Sequence, residues 1–160
     1  MEEKKIVDIY TDGACSGNPG SGGYGTILRY KDATGNYHEK ELTAGFKDTT
    51  NNRMELMAVI VGLEALKKPC KIKIYSDSKY IIDAFEQKWI DNWQRNNWKS
   101  ANKKPVKNVD LWTRLLAAME KHEIELIWIK GHAGHEFNER CDRLAVASSK
   151  SDNLLDDNKT

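Results

Sequence analysis

The stretch YTDGACSGNPGSGGYG, Tyr10 to Gly25, decides how this chain is read. Gly20, Gly22 and Gly25 have the G-x-G-x-x-G spacing of a dinucleotide-binding loop, and they come soon after the apolar run Ile6 to Tyr10. That fingerprint works only where its glycines open a helix, because the helix N-terminus carries the pyrophosphate. The residues after Gly23 do not have a helical pattern. Tyr24 to Tyr30 is rich in β-branched and aromatic residues, and after Thr34-Gly35-Asn36 a second alternating run extends from Tyr37 to Phe46. The pattern predicts a meander of strands, with the glycines and Pro19 as a wide turn, and no dinucleotide site.

Working outward, residues 51–67 are apolar almost all round (Met54, Leu56, Met57, Val59, Ile60, Leu63), which suits a helix buried against a sheet. Lys71 to Ser76 alternates as a strand, and Lys79 to Gln87 comes next as a helix. Leu111, Leu115, Ala118 and Met119 form one helical stripe, Glu125 to Lys130 reads as a last strand, and Phe137, Cys141, Leu144, Ala145 and Ser148 mark a closing helix. The order β-β-β-α-β-α-α-β-α implies an α/β fold: a mixed sheet, part antiparallel and part parallel, with helices on its faces.

The chain has 160 residues, 39% hydrophobic and 31% charged, enough for one domain with a real core. Residues 1–149 are assigned to that domain and 150–160, polar and rich in Ser, Asp, Asn and Lys, to a flexible tail. A net charge of +1 gives no global sign of a nucleic-acid partner, so any such sign must come from where the charges sit. The three cysteines, odd in number and without a C-x-x-C pair, argue against a disulfide framework or a zinc site. The first residues lack an apolar targeting core and no apolar run approaches a membrane span, so a reduced, cytoplasmic chain with no membrane partner is expected.

Four carboxylates need a reason. The strands ending in IYTDG and IYSDS are alike, so if they lie parallel, Asp12 and Asp77 emerge at one sheet edge, where ligands of open α/β sheets bind. Each also has a purely structural reading: Asp12-Gly13 as a turn, Asp77 as a helix cap, and Glu55 as the far end of a capping box begun by Asn52. Asp142 is harder to explain that way. It lies beside the apolar stripe of the last helix with Asn138, Glu139, Ala145 and Val146 at the neighbouring positions, and no base faces it. Carboxylates held together without bases repel, and the usual remedies are a raised pKa or a bound cation. A hard oxygen site for Mg²⁺ or Mn²⁺ answers this, and two such ions about 3.5–4 Å apart would serve a phosphodiester displacement.

At these residues the sequence resembles a known family. YTDGACSGNPGSGGYG, TTNNRMEL, YSDSKY, KKPVKNVDLW and IKGHAGHEFNERCDRLA, in this order from about Ile6 to Ala147, are similar to the motifs of type 1, bacterial-type ribonuclease H. The resemblance implies the ribonuclease H-like fold, a five-stranded mixed sheet with helices on both faces. It also implies endonucleolytic hydrolysis of the RNA strand of RNA–DNA hybrids, leaving 5′-phosphate and 3′-hydroxyl ends, with two Mg²⁺ per substrate-bound site and Mn²⁺ able to substitute. Asp12, Glu55, Asp77 and Asp142 match the family's metal-binding carboxylates, and His132 matches a mobile catalytic histidine on a glycine-flanked loop. Primer removal in replication is the cellular role it implies.

The same resemblance supplies the substrate contacts. Cys15, Asn18, Asn51 and Asn52 match positions that face the minor groove and the RNA riboses. Thr50 and Asn108 match positions near a DNA-strand phosphate. Lys88, Arg95, Lys99, Lys103, Lys104 and Lys107, interleaved with Trp89, Trp93 and Trp98, look like the family's basic protrusion, where cations meet phosphate and aromatics pack on sugars or anchor the loop. Two departures bear on affinity: Asp48 stands where relatives often carry a base, which weakens phosphate contact, and Lys79, where an amide is common, partly offsets it. A hybrid duplex is the expected partner, with the chain a monomer and no obligate protein partner. The alternatives are a non-catalytic hybrid-binding module, which has no use for four intact acids, or another nuclease of the same fold.

Overall fold

The computed structural model describes residues 5–99, 104–129 and 135–157. Strands β1 (Lys5–Cys15), β2 (Gly20–Lys31) and β3 (Tyr37–Thr49) form the expected antiparallel meander. Then come α1 (Asn51–Glu64), β4 (Cys70–Ser76), α2 (Lys79–Glu86), α3 (Trp89–Arg95), α4 (Val109–Met119), β5 (Glu123–Trp128) and α5 (Glu136–Ser149). The sheet order is β3-β2-β1-β4-β5. β1 pairs antiparallel with β2 and parallel with β4, and β4 pairs parallel with β5. This is the five-stranded mixed sheet expected from the resemblance. Among the described residues no helix is long and apolar enough to cross a membrane.

Side-chain alternation puts helices on opposite faces of the sheet. Thr26 donates its hydroxyl to Ala58 O of α1 at 2.7 Å, and Ile9 packs against Gly62 of the same helix. On the other face, Tyr10 stacks on Phe137 of α5 and Cys141 Sγ approaches Tyr10 O. The main core lies between the sheet and α1, with Ile9, Leu56, Ile60, Ile74 and Trp112 fully buried.

Three expectations are corrected, and one further contact is found. The turn is residues 16–19, which hold Gly17 and Pro19, whereas Gly20, Gly22, Gly23 and Gly25 lie in β2. Gly20 faces the turn at Ser16 and Gly17, and Gly22 faces Ala14, Thr49 and Met54; Gly23 and Gly25 serve close packing with α5, because a Cβ on Gly23 would stand 2.5 Å from Ala145 O and Gly25 is covered by Cys141, as Gly45 of β3 is by Ser148. The aromatic and β-branched residues around them signalled the strand, but the contact that demands glycine is with a helix more than a hundred residues away. Second, a short helix, α3, forms inside the Trp-rich segment. Third, boundaries shift: α1 ends at Glu64, three residues short of the predicted end, and β5 begins and ends two residues earlier than predicted. Finally, the expected tail meets β3 at Leu155, whose N–H donates to Gly45 O and whose carbonyl accepts from Lys47 N–H, each at 2.8 Å.

Adding one methyl group at Gly23 forces α5 away from the sheet, since the nearest atoms it meets are backbone. Gly23→Ala is expected to lower stability by about 1–3 kcal/mol, the usual cost of overpacking, and the melting temperature by several degrees; calorimetry checks it.

Candidate active site

The parallel register of β1 and β4 ends at Tyr10 opposite Tyr75. Asp12 and Asp77 each stand two residues beyond that pair, so they leave the sheet side by side at the carboxyl end of the strands. Glu55 comes from the first turns of α1. Gly13 lets it in: a Cβ there would lie 2.6 Å from Glu55 N, so any larger residue would push the helix start off β1. The result is a cluster in which carboxylate oxygens of Asp12, Glu55 and Asp77 all lie within 4.8 Å of one another. Asp142, half-buried on α5, reaches Asp12 from the opposite face of the sheet and hydrogen-bonds to it.

None of the structural readings of the first three acids survives. Asp12-Gly13 is not a turn, since β1 continues to Cys15. Ser78 caps α2, its side chain accepting from Ile81 N, so Asp77 is not the cap. Thr50 caps α1, its hydroxyl accepting from Arg53 N at 3.3 Å, so Glu55 is not part of a box begun by Asn52.

The electrostatics of the cluster are unfavourable without a counter-charge. Asp12 and Glu55 are each only 4% exposed. Burial, then the charges of Asp77 and Asp142, push the Asp12 carboxyl up to about 8, against the pull of the Gly13 N–H, which donates to Asp12 Oδ1 at 3.0 Å. Burial, then the charges of Asp12 and Asp77, likewise raises Glu55 well above the ordinary carboxylate range. Glu55 Oε2 is buried and has no hydrogen-bond partner among the described residues. A set of hard oxygen donors, mutually repelling and with one lone buried oxygen, suits a divalent cation.

A family model described as RNase H matches residues 4–150. The Ribonuclease H of Lachnoclostridium phytofermentans is 59% identical over 153 residues, covering 95% of this chain and 97% of that protein. The chain belongs to the RNase H family. A second member of the family, the Ribonuclease H of Escherichia coli, is 57% identical over 152 residues, covering 95% and 94% of the two chains. The solved structure of LC9-RNase H1, a type 1 RNase H with the type 2 active-site motif, aligns with a TM-score of 0.83 and 30% identity over 99% of this chain and 80% of that one. LC11-RNase H1, solved in complex with an RNA/DNA hybrid, shares the fold at a TM-score of 0.62 and 24% identity over 89% of this chain and 95% of its own. The activity of this RNase H is accordingly that of a hydrolytic ribonuclease.

Of the remaining expected residues, Cys15 and Asn18 lie at the end of β1 and in the turn after it, and Thr50, Asn51 and Asn52 at the start of α1, the helix that carries Glu55. Asn18 Oδ1 accepts from Asn51 N at 3.0 Å, tying the β1–β2 turn to the start of α1, where Asn52 is exposed. Cys15 Sγ lies 3.4 Å from Thr49 O and closes the same corner. Lys79 is exposed at the start of α2. Trp89, Trp93 and Trp98 are half-buried in a ladder, with ring centroids 6.2 and 6.3 Å apart, that Trp93 joins to the buried Trp112 at 5.6 Å. Lys88, Arg95, Lys99, Lys104 and Lys107 are exposed around it. His132 and Lys103 lie outside the described residues.

Sequence reasoning passed over Gly13 and Arg53. Arg53 is buried on α1 beside the asparagines and binds Asp110 and Asp157 at 2.6 Å each. A lone cation in an otherwise apolar helix was the signal available, but its partners, 57 and 104 residues away, carried none.

Because Asp12 is raised in the folded state, between its ordinary value near pH 4 and about pH 8 the metal-free native protein holds a proton that the unfolded chain has released. That contribution to stability is complete at low pH and is lost as pH rises towards 8. Asp12→Asn is therefore expected to melt higher than the wild type at pH 8 without metal, with the gap closing towards pH 4; melting curves over this range in chelator check it.

Proposed function

We propose that the chain hydrolyses the RNA strand of RNA–DNA hybrids at the Asp12, Glu55, Asp77 and Asp142 cluster, using divalent cations, Mg²⁺ or Mn²⁺. The observation that carries this reading is the convergence of three carboxylates within 4.8 Å at the carboxyl end of two parallel strands, the usual ligand edge of such sheets. When bound, the cations lower the pKa of water and offset charge on the attacking and leaving oxygens of a phosphodiester.

The protein's own residues supply the rest. Asp12 is coupled to every other member of the set, by hydrogen bonds to Asp142 and Glu55 and by charge to Asp77. Cation binding requires Asp12 and Glu55 to shed the protons their surroundings favour, which makes loading stronger as pH rises. Asn18 and Asn51, linked by their hydrogen bond, present short polar groups to the riboses of the strand to be cut, and Asn52 and Cys15 flank them. Thr50 and Asn108, at the starts of α1 and α4, face a phosphate of the other strand. The exposed lysines around Trp89, Trp93 and Trp98 hold the duplex farther along by charge alone, without reading sequence. His132 assists proton transfer or product release, and Asp48 reduces phosphate affinity relative to family members with a base there.

The test is a panel of labelled RNA–DNA hybrid, RNA duplex, DNA duplex and single-stranded RNA, incubated with Mg²⁺ or with chelator. Cleavage confined to the RNA strand of the hybrid and abolished by chelator is expected. Asp12→Asn should lower the rate by at least about 100-fold, the scale on which loss of one preorganised electrostatic group is felt. Cleavage of duplex DNA, or hybrid binding without cleavage under either metal, would contradict the reading.

A further inference from the structure

Asp157 lies in a saturated polar junction. The backbone bonds of Leu155 to β3 bring Asp157 under the start of α1, where its side chain is 7% exposed. Asp157 Oδ2 accepts from Arg53 Nε at 2.6 Å and from the Thr49 hydroxyl at 2.6 Å, and Oδ1 accepts from Arg53 Nη2 at 3.0 Å. The other guanidinium hydrogens go to Asp110, at 2.9 and 2.6 Å, and to Asn108 Oδ1 at 3.2 Å. All five N–H donors of Arg53 are used. Asn108 starts α4 in the left-handed region, at φ 64°, with no side-chain cap bond. Its amide is held instead between Arg53 and the Tyr80 hydroxyl, the latter at 3.2 Å.

One side chain thus links the tail to two helix starts, the one after Thr49, which carries Thr50 and Asn51, and the one at Asn108. We propose that Asp157 is a positioning residue for nucleic-acid binding: by locking Arg53 and Thr49, the tail sets the spacing between Thr50 and Asn108 so that both grip one phosphate of the DNA strand. This rests on the proposed function, which puts those two residues at a phosphate. Charge neutrality does not explain the tail contact, because Arg53 is already matched by Asp110, and a second carboxylate leaves the junction net negative. Electrostatics alone would have Asp157 repel a phosphate, whereas positioning has it help. The two effects carry opposite signs.

The experiment measures binding of an RNA–DNA hybrid in chelator, well below the melting temperature, for wild type and Asp157→Asn. It uses the plain hybrid and a series with a single methylphosphonate in place of each DNA-strand phosphate in turn. Asparagine keeps the size but loses one acceptor. The expected result is a 5- to 20-fold weaker Kd for Asp157→Asn on the plain hybrid, and little difference between the proteins on the one hybrid whose neutral linkage most weakens the wild type. Equal or tighter binding by Asp157→Asn, or a loss that is the same on every hybrid, overturns the proposal. A wild type indifferent to every methylphosphonate refutes the phosphate contact itself, and so the reading beneath the proposal. Should Asp157→Asn fail to fold, Thr49→Val removes a single hydrogen bond to Asp157; it should weaken binding in the same phosphate-dependent way, and unchanged binding overturns the proposal.

Discussion

Repulsion among buried carboxylates is the constraint on which the rest of this structure depends. Asp12 and Glu55 are almost wholly buried, with Asp77 within 4.8 Å and Asp142 hydrogen-bonded to Asp12, and burial and mutual charge drive their proton affinity up. Such a cluster is costly to the fold. It persists because rigid elements over-determine it: the β1–β4 register sets Asp12 beside Asp77, the bare Gly13 lets α1 deliver Glu55, and glycines under α5 let that helix deliver Asp142. A bound cation turns the cost into affinity.

Much of this was legible in the sequence because it is local. Alternation and β-branched content marked the strands, and the repeated endings IYTDG and IYSDS placed two acids at one edge of the sheet. What was illegible is what depends on partners far along the chain. Gly23 and Gly25 of β2 looked like turn glycines because loop chemistry is the commoner local reason for them, while their actual neighbours, Cys141, Ala145 and Ser148, belong to the last helix. The polarity of residues 150–160 marked only a tail, with no sign that the Asp157 side chain would pack against Arg53. The helix caps are Thr50 and Ser78, where the sequence offered Asn52 and Asp77, a difference of one or two residues that is finer than propensity resolves.

The proposed substrate face depends on the same economy of elements. The α1 start bears Thr50, Asn51 and Asn52 two turns or less from Glu55, so the groups proposed to read the duplex and the acids proposed to cut it move as one body. The Trp ladder from Trp98 through Trp93 to Trp112 ties the Trp-rich segment to the core. Rigid positioning of oxygen ligands and polar readers is what a reaction without covalent participation by the protein requires.

The central claim, that the buried acids are a cation site held partly protonated until it is filled, is tested most directly by calorimetric titration of Mg²⁺ into the metal-free protein at pH 7. The titration is run in two buffers of different ionisation enthalpy, so that released protons are counted. The account predicts binding with net proton release, lost in Asp12→Asn. Binding without proton release, or no binding in the intact protein, would contradict it.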